Sequence, residues 1–262
     1  IVQNRLRAEG IQLELGCRLE RVEVRDGDKI LRVVCADGGS REIAVDEILV
    51  AVGRAPNVEG LGLEAAGVEF DARGGVVVDD RLRTRNRRVY AAGDVCMDWK
   101  FTHAADAAAK IAVQNALFFP SKKLSSLVMP WCTYTDPEVA HVGLYAHEAA
   151  ARGIAIDTFE VRLAEVDRAV ADGEEDGFVK VHVKQGTDRI LGATIVAAHA
   201  GEMISEVTLA IVGKLGLGTI LNTIHPYPTQ AEGIKRVAGA YTRTRATPRV
   251  LRILEAWMGF RR

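Results

Sequence analysis

The stretch His225-Pro226-Tyr227-Pro228 constrains this chain more than any other. Two prolines in three residues forbid a helix through Pro226–Pro228 and hold the backbone extended. Thr229 follows, with Glu232 three residues on, the spacing of a helix capping box. The sequence therefore predicts a stiff elbow that projects His225 and Tyr227 from one side of a helix start and sets Glu232 on its first turn. A ring, a phenol and a carboxylate on a rigid corner suit a site. A proline-rich turn with an ordinary cap is the plainer reading of the same residues.

The 262 residues suffice for one large or two ordinary domains, and 48% hydrophobic against 26% charged residues predicts a sizeable core. A formal net charge of -1 argues against a nucleic-acid partner. Cys17, Cys35, Cys96 and Cys132 are scattered, with no C-x-x-C pair and no zinc spacing. A reduced, cytoplasmic chain is expected. Glu206 and Lys214 interrupt the most apolar helix, Met203–Leu221, so no segment reads as a membrane span. The opening Ile1-Val2-Gln3 starts mid-helix and without Met, so the chain reads as a piece of a longer protein.

Val2–Glu9 has helical spacing and stops at Gly10. Ile11–Leu15, Arg18–Arg25, Lys29–Ala36 and Arg41–Ile43 alternate or run apolar, punctuated by hairpin turns at Gly27 and Gly38-Gly39. Asp46–Val52 predicts a short buried strand running into Gly53, where a ligand can approach the backbone of an α/β sheet edge or the chain simply exits a strand. Val76–Val78 is a predicted strand. Val89–Gly93 is another, of shrinking side chains, ending in the carboxylate of Asp94, which can accept hydrogen bonds from sugar-type hydroxyls. Phe101-Thr102-His103 opens the Ala-rich helix Ala104–Phe118. Its free N–H groups suit an anion, and an Ala-rich core helix capped by Thr102 is the bland alternative.

After the polar stretch Pro120–Ser126 the texture changes. Strands are predicted at Trp131–Thr135, Val139–Leu144, Ile156–Arg162, Gly177–Lys184 and Arg189–Ala197. Helices are predicted at Tyr145–Arg152, Gly201–Leu215 and Gln230–Tyr241, with Asp172–Asp176 a solvent-facing loop and Gly216-Leu217-Gly218 a break. This is an α+β pattern, an antiparallel sheet with helices to one side. The tail Thr242–Arg262 carries six arginines against one glutamate, and Val250, Ile253, Leu254, Trp257 and Met258 share one helical face. Such a basic amphipathic helix either docks on the protein's own surface or touches an anionic membrane.

Taken together, these pieces resemble the C-terminal half of the flavin-dependent pyridine nucleotide–disulfide oxidoreductases, the class of dihydrolipoamide dehydrogenase, glutathione reductase and mercuric reductase. Val50-Ala51-Val52-Gly53-Arg54-Ala55-Pro56-Asn57 resembles the strand closing the family's NAD(P) domain. Thr84 through Val89-Tyr90-Ala91-Ala92-Gly93-Asp94 resembles its second flavin motif. The run from Thr133 to Gly143 resembles the start of its dimerisation domain, and His225–Glu232 its C-terminal active-site motif, which reaches the partner subunit's flavin. The implied fold is α/β plus α+β: the end of an NAD(P)-binding domain (1–57), the end of an FAD-binding domain (58–124), an interface domain (125–241) and the basic tail (242–262).

The resemblance implies that Gly93 and Asp94 contact the ribityl chain of FAD, and that Phe101, Thr102 and His103 lie at the flavin ring. It also implies that Tyr227 and Glu232, with His225 nearby, wall the acceptor side across a homodimer interface formed by 125–241. The parent protein is then expected to move electrons from NAD(P)H through FAD to a small acceptor: a disulfide, a metal ion or a quinone. A non-catalytic dimerisation module is the alternative. Three departures bear on this expectation. No G-x-G-x-x-G and no redox cysteine pair occur, so flavin binding by this chain alone should be weak. Tyr227 stands where disulfide reductases carry His, and a phenol with a reference pKa of about 10 is a poor base. The tail lacks the terminal cysteine pair of mercuric reductases, which puts mercury specificity in doubt.

Overall fold

The chain has three buried cores, two in its second segment and one in its third. The computed structural model describes residues 1–261, apart from the side chains of Arg249 and Leu251; Arg262, the last tail arginine, lies outside the described residues. Helix α1 (Val2–Ala8) precedes a three-stranded antiparallel meander of β1 (Cys17–Arg25), β2 (Asp28–Cys35) and β3 (Ser40–Val45). Gly27 and Gly38 turn its corners in the left-handed region, at φ +98° and +79°. In the second segment, a small ladder of β4 (Phe70–Asp71) and β5 (Gly75–Val76) gathers Val58, Val68 and Val76, and α2 (Thr102–Leu117) buries Ala104, Ala108 and Ile111 against Leu82 and Met97.

The third segment holds the largest core. Strands β6 (Pro130–Thr133), β7 (Glu138–Gly143), β8 (Ile156–Arg162), β9 (Phe178–Lys184) and β10 (Ile190–Ala197) pair antiparallel in the order β6-β7-β10-β9-β8. Helices α3 (Ala146–Ala151) and α4 (Asp167–Asp172) lie between strands, and α5 (Ala200–Val212), α6 (Leu217–Asn222) and α7 (Glu232–Arg245) follow. Leu163, Val179, Val181, Ile195, Val207 and Ile234 are fully buried, each worth about 1.5–3 kcal/mol on hydrophobic transfer. At the end of β7 the chain runs so close to β10 that a Cβ on Gly143 (φ +82°) would lie 2.3 Å from the Leu191 carbonyl oxygen, so only glycine is accommodated.

Several expectations are corrected. Asp46–Val52 forms no strand: Leu49 and Val52 are 91% and 90% exposed, because an apolar strand of parallel type needs flanking strands and none pairs with it among the described residues. Ile11–Leu15 is unpaired as well, and the Val89–Gly93 strand shrinks to one bridge, Arg83 with Tyr90. Cys17 and Cys35, expected to be separate thiols, form a disulfide, because hairpin register brings distant positions face to face. The predicted loop Asp172–Asp176 starts on the last residue of α4 and is otherwise non-helical, whereas the predicted break gives way to the short helix α6, which runs through Gly218. The last helix of that unit extends to Arg245, and α8 (Pro248–Phe260) follows, capped by the Thr247 hydroxyl. The apolar face of α8 does not dock on the chain: Ile253, Trp257 and Phe260 are exposed. No helix among the described residues is long and apolar enough to cross a membrane.

Candidate functional site

Two groups of predicted residues form two separate places in the chain. The first is the approach of Gly93-Asp94 to the N-terminus of α2. Gly93 adopts φ +81°, and a Cβ there would meet the Ala105 Cβ at 3.0 Å, so glycine lets this turn lie directly against the helix. Phe101 precedes the first turn in extended conformation, and no side chain caps it, so the first amides of α2 keep their donors free. Thr102 is the first helical residue rather than the N-cap, and it is exposed. Phe101 stacks on His103 with ring centroids 5.3 Å apart, while His103 donates from Nε2 to the Pro130 carbonyl at 2.8 Å, tying α2 to β6.

The Asp94 carboxylate accepts a hydrogen bond from Arg54 Nη1 at 2.8 Å, and its carbonyl accepts one from Lys100 Nζ at 3.1 Å. Arg54 was not singled out by sequence reasoning, though its place directly after Gly53 in the same motif was the available signal. Gly53 itself adopts φ +114° and has open space at its Cβ position. The pair is solvent-accessible on both sides, so Arg54 screens Asp94 at little energetic cost and can be displaced by hydroxyl donors.

The second place is the elbow. The capping box is not formed: the Thr229 hydroxyl donates to the Pro226 carbonyl at 2.9 Å, and α7 begins after Ala231. His225 and Tyr227 point to different surroundings instead of one side. The His225 side chain is only 6% exposed, held by Glu206 Oε1 at 2.9 Å and by the Thr223 carbonyl at 3.1 Å. Tyr227 is 70% exposed and donates its phenol proton to Asp167 Oδ2 at 2.9 Å. This hydrogen bond, together with the carboxylate charge, pushes the Tyr227 pKa above its usual value. The phenol therefore stays protonated around neutrality and acts as a donor.

Arg236 Nη2 closes the network, 3.1 Å from Asp167 Oδ1 and 3.3 Å from Glu232 Oε1. Glu232 thus pairs with an arginine one turn along α7, while its Oε2 is solvent-excluded and has no hydrogen-bond partner among the described residues. Sequence reasoning missed Asp167, Arg236 and Glu206. Glu206 had a signal, as a carboxylate interrupting an apolar helix; Asp167, sixty residues from Tyr227, had none. The elbow also walls a cleft of about 360 Å³ lined by Arg168, Asp172, His199, Glu202 and Glu206. Among the described residues no hydrogen bond joins this network to Asp94 or Thr102.

Known proteins match both halves of the chain. Residues 1–109 match the pyridine nucleotide-disulphide oxidoreductase family model, and residues 129–238 match the dimerisation domain of the same enzymes. Over 241 residues the chain is 36% identical to the mercuric reductase of Streptomyces lividans, covering 92% of this chain and 51% of that protein. It is 38% identical over 246 residues to the dihydrolipoyl dehydrogenase of Thermus scotoductus, covering 92% and 52%. Among solved structures, the HOCl-induced flavoprotein disulfide reductase RclA of Escherichia coli superposes with a TM-score of 0.81 at 26% identity, covering 90% of this chain and 54% of that one. The chain spans about half the length of the relatives it matches. Its two matched regions place it in the pyridine nucleotide–disulfide oxidoreductase family.

Proposed function

We propose that this chain is part of a homodimeric FAD-dependent oxidoreductase that moves electrons from NAD(P)H to a small acceptor. The observation carrying this reading is the close approach of Gly93, with Asp94 beside it in sequence, to the uncapped first turn of α2. Flavin, when bound, supplies a ring that accepts hydride and passes on electrons. The residues present suit its ribityl and pyrimidine end: Asp94 is an acceptor for hydroxyls, and the α2 amides face developing negative charge. No glycine fingerprint for a pyrophosphate occurs in the sequence, so anchoring by these residues alone is weak. Residues 1–57, 58–124 and 125–241 correspond in this reading to the ends of the nucleotide and flavin domains and to the interface domain.

On the acceptor side, the exposed Tyr227 phenol donates a hydrogen bond from a fixed position, and Asp167 holds it there. A protonated phenol stabilises an anionic acceptor or product, such as a thiolate or a reduced quinone oxygen, without taking a proton from it. Glu232, bound to Arg236, and the buried His225 brace the corner. Adding FAD to the purified chain tests this reading. Weak but saturable quenching of FAD fluorescence by the dimer, lost in Asp94→Ala, is the expected result. A dimer that leaves FAD fluorescence unchanged would instead support the second reading, a dimerisation module without chemistry, which the missing glycine fingerprint favours. For the tail, exposed Ile253, Trp257 and Phe260 beside Arg252 and Arg261 support contact with an anionic membrane. Co-sedimentation with anionic liposomes that persists after deletion of residues 242–262 would dismiss that role.

A further inference from the structure

The first segment contains a cluster that the flavin reading leaves unused. Cys17 opens β1 and Cys35 closes β2, and the two are directly opposed in the antiparallel register, with their sulfurs bonded. Gly16, in the left-handed region at φ +67°, turns the preceding loop back over this end of the sheet. Glu14 consequently reaches the sulfurs, its Oε2 4.0 Å from Cys17 Sγ. The two sulfurs and this carboxylate oxygen all lie within 4.8 Å of one another. They border an open cleft of about 280 Å³ whose other walls include Arg7, Asp37 and Arg41. Cys35 is 8% exposed, whereas Glu14 opens to solvent, so the group has a protein side and an entry side.

We propose that the reduced Cys17–Cys35 pair, together with Glu14, is a binding site for a soft divalent cation of the zinc and cadmium type. Two thiolates and one carboxylate are a donor set such ions prefer, and three protein ligands leave a fourth position open to the cleft. Metal–sulfur bonds of about 2.3 Å in a tetrahedron set two sulfurs ~3.8 Å apart, a separation compatible with directly opposed strand positions. Arg41 contacts both Glu14 and Asp37. When Glu14 turns to the cation, Asp37 remains at 3.3 Å to keep the guanidinium paired.

Redox state gates the site. A dithiol opens the disulfide by exchange: the Cys17–Cys35 bond breaks, two thiols form on the protein, and the dithiol leaves as its cyclic disulfide. The cation then replaces the two thiol protons, which are released to solvent as two sulfur–metal bonds form. The oxidised pair has no thiolate to offer.

Cadmium titration tests this without any flavin, so its outcome is independent of the proposed enzyme. The full chain carrying Cys96→Ser and Cys132→Ser is reduced with dithiothreitol, freed of it anaerobically, and titrated with Cd2+ alone. One equivalent should raise the thiolate-to-metal charge-transfer absorbance in the ultraviolet, and the unreduced protein should show none. Adding Cys17→Ser should abolish the band. Glu14→Gln should weaken binding by about tenfold or more, since loss even of an outer-shell partner costs that much. The same contrast between the unmodified chain and Cys17→Ser/Cys35→Ser serves should the first background not fold. A band that survives Cys17→Ser, no band when two free thiols are titrated, or unchanged affinity in Glu14→Gln would each overturn the proposal.

Discussion

The two large antiparallel sheets of this molecule share a construction and differ in their fate. Both are antiparallel and built of alternating or apolar strands, the smaller a simple meander and the larger a β6-β7 hairpin joined through β10 to the β8-β9-β10 meander. The five-stranded sheet is covered by α5 and α7, and Val142, Val179, Val181 and Ile195 are lost to solvent completely. The three-stranded sheet has no such cover: β1 has no fully buried position, and Val24 is 73% exposed. The chain after it, with Leu49, Val50 and Val52 in the open, is the extreme case. Alternation makes a strand, but only a second layer makes a core.

The comparison is sharpened first by hydrogen exchange. Amides of β7 and β10 should exchange only through global opening, while residues 46–57 exchange at about the unprotected rate, the two ends of the range of local stabilities. Equal protection in both places would break the contrast. Next in size, Leu163→Ala should cost about 2–5 kcal/mol in equilibrium denaturation, while Leu49→Ala or Val52→Ala stays within about 0.5 kcal/mol. A large loss from Leu49→Ala would mean that this stretch is covered in solution.

A smaller effect separates the regions by pH. Burial lowers the pKa of His141, which stacks on Tyr145, and of His182, both in the five-stranded sheet. Each is held neutral in the folded state and takes up a proton more readily when unfolded. Stability is therefore full above the ordinary histidine pKa of about 6.5 and declines as pH falls through the lowered folded values. Melting temperature should drop from pH 7 to pH 5, and His141→Gln with His182→Gln should flatten the slope; an unchanged slope would assign acid sensitivity elsewhere. The smallest effect concerns thiols in covered places. Burial pushes the pKa of Cys96 and Cys132 up to about 11, the Cys132 shift reinforced by Glu138. At pH 8 their alkylation by iodoacetamide should be on the order of a hundredfold slower than that of free cysteine. Mass spectrometry showing prompt labelling of either would contradict the burial.

The strands β8, β9 and β10 and the helix α5 were legible in the sequence within one to three residues at their ends, because each carries its own period and its own turn signals. The helix start at Phe101-Thr102 was legible too, since it is set by local residues, whereas the strand expected to end at Gly93 was not formed. The elbow was placed correctly, but the partners of its side chains were not. Glu206 took His225, Asp167 took Tyr227 and Arg236 took Glu232, and two of these three come from elements 19 and 60 residues away. The disulfide went unread for the same reason, with its cysteines 18 residues apart.

Local patterning thus determined which segments become strands and helices, and motif spacing determined the family. Tertiary structure alone decided which apolar strand is covered, which carboxylate holds which donor, and which cysteines meet. Those outcomes depend on pairwise distances between remote residues, and such distances exist only once the layers have packed.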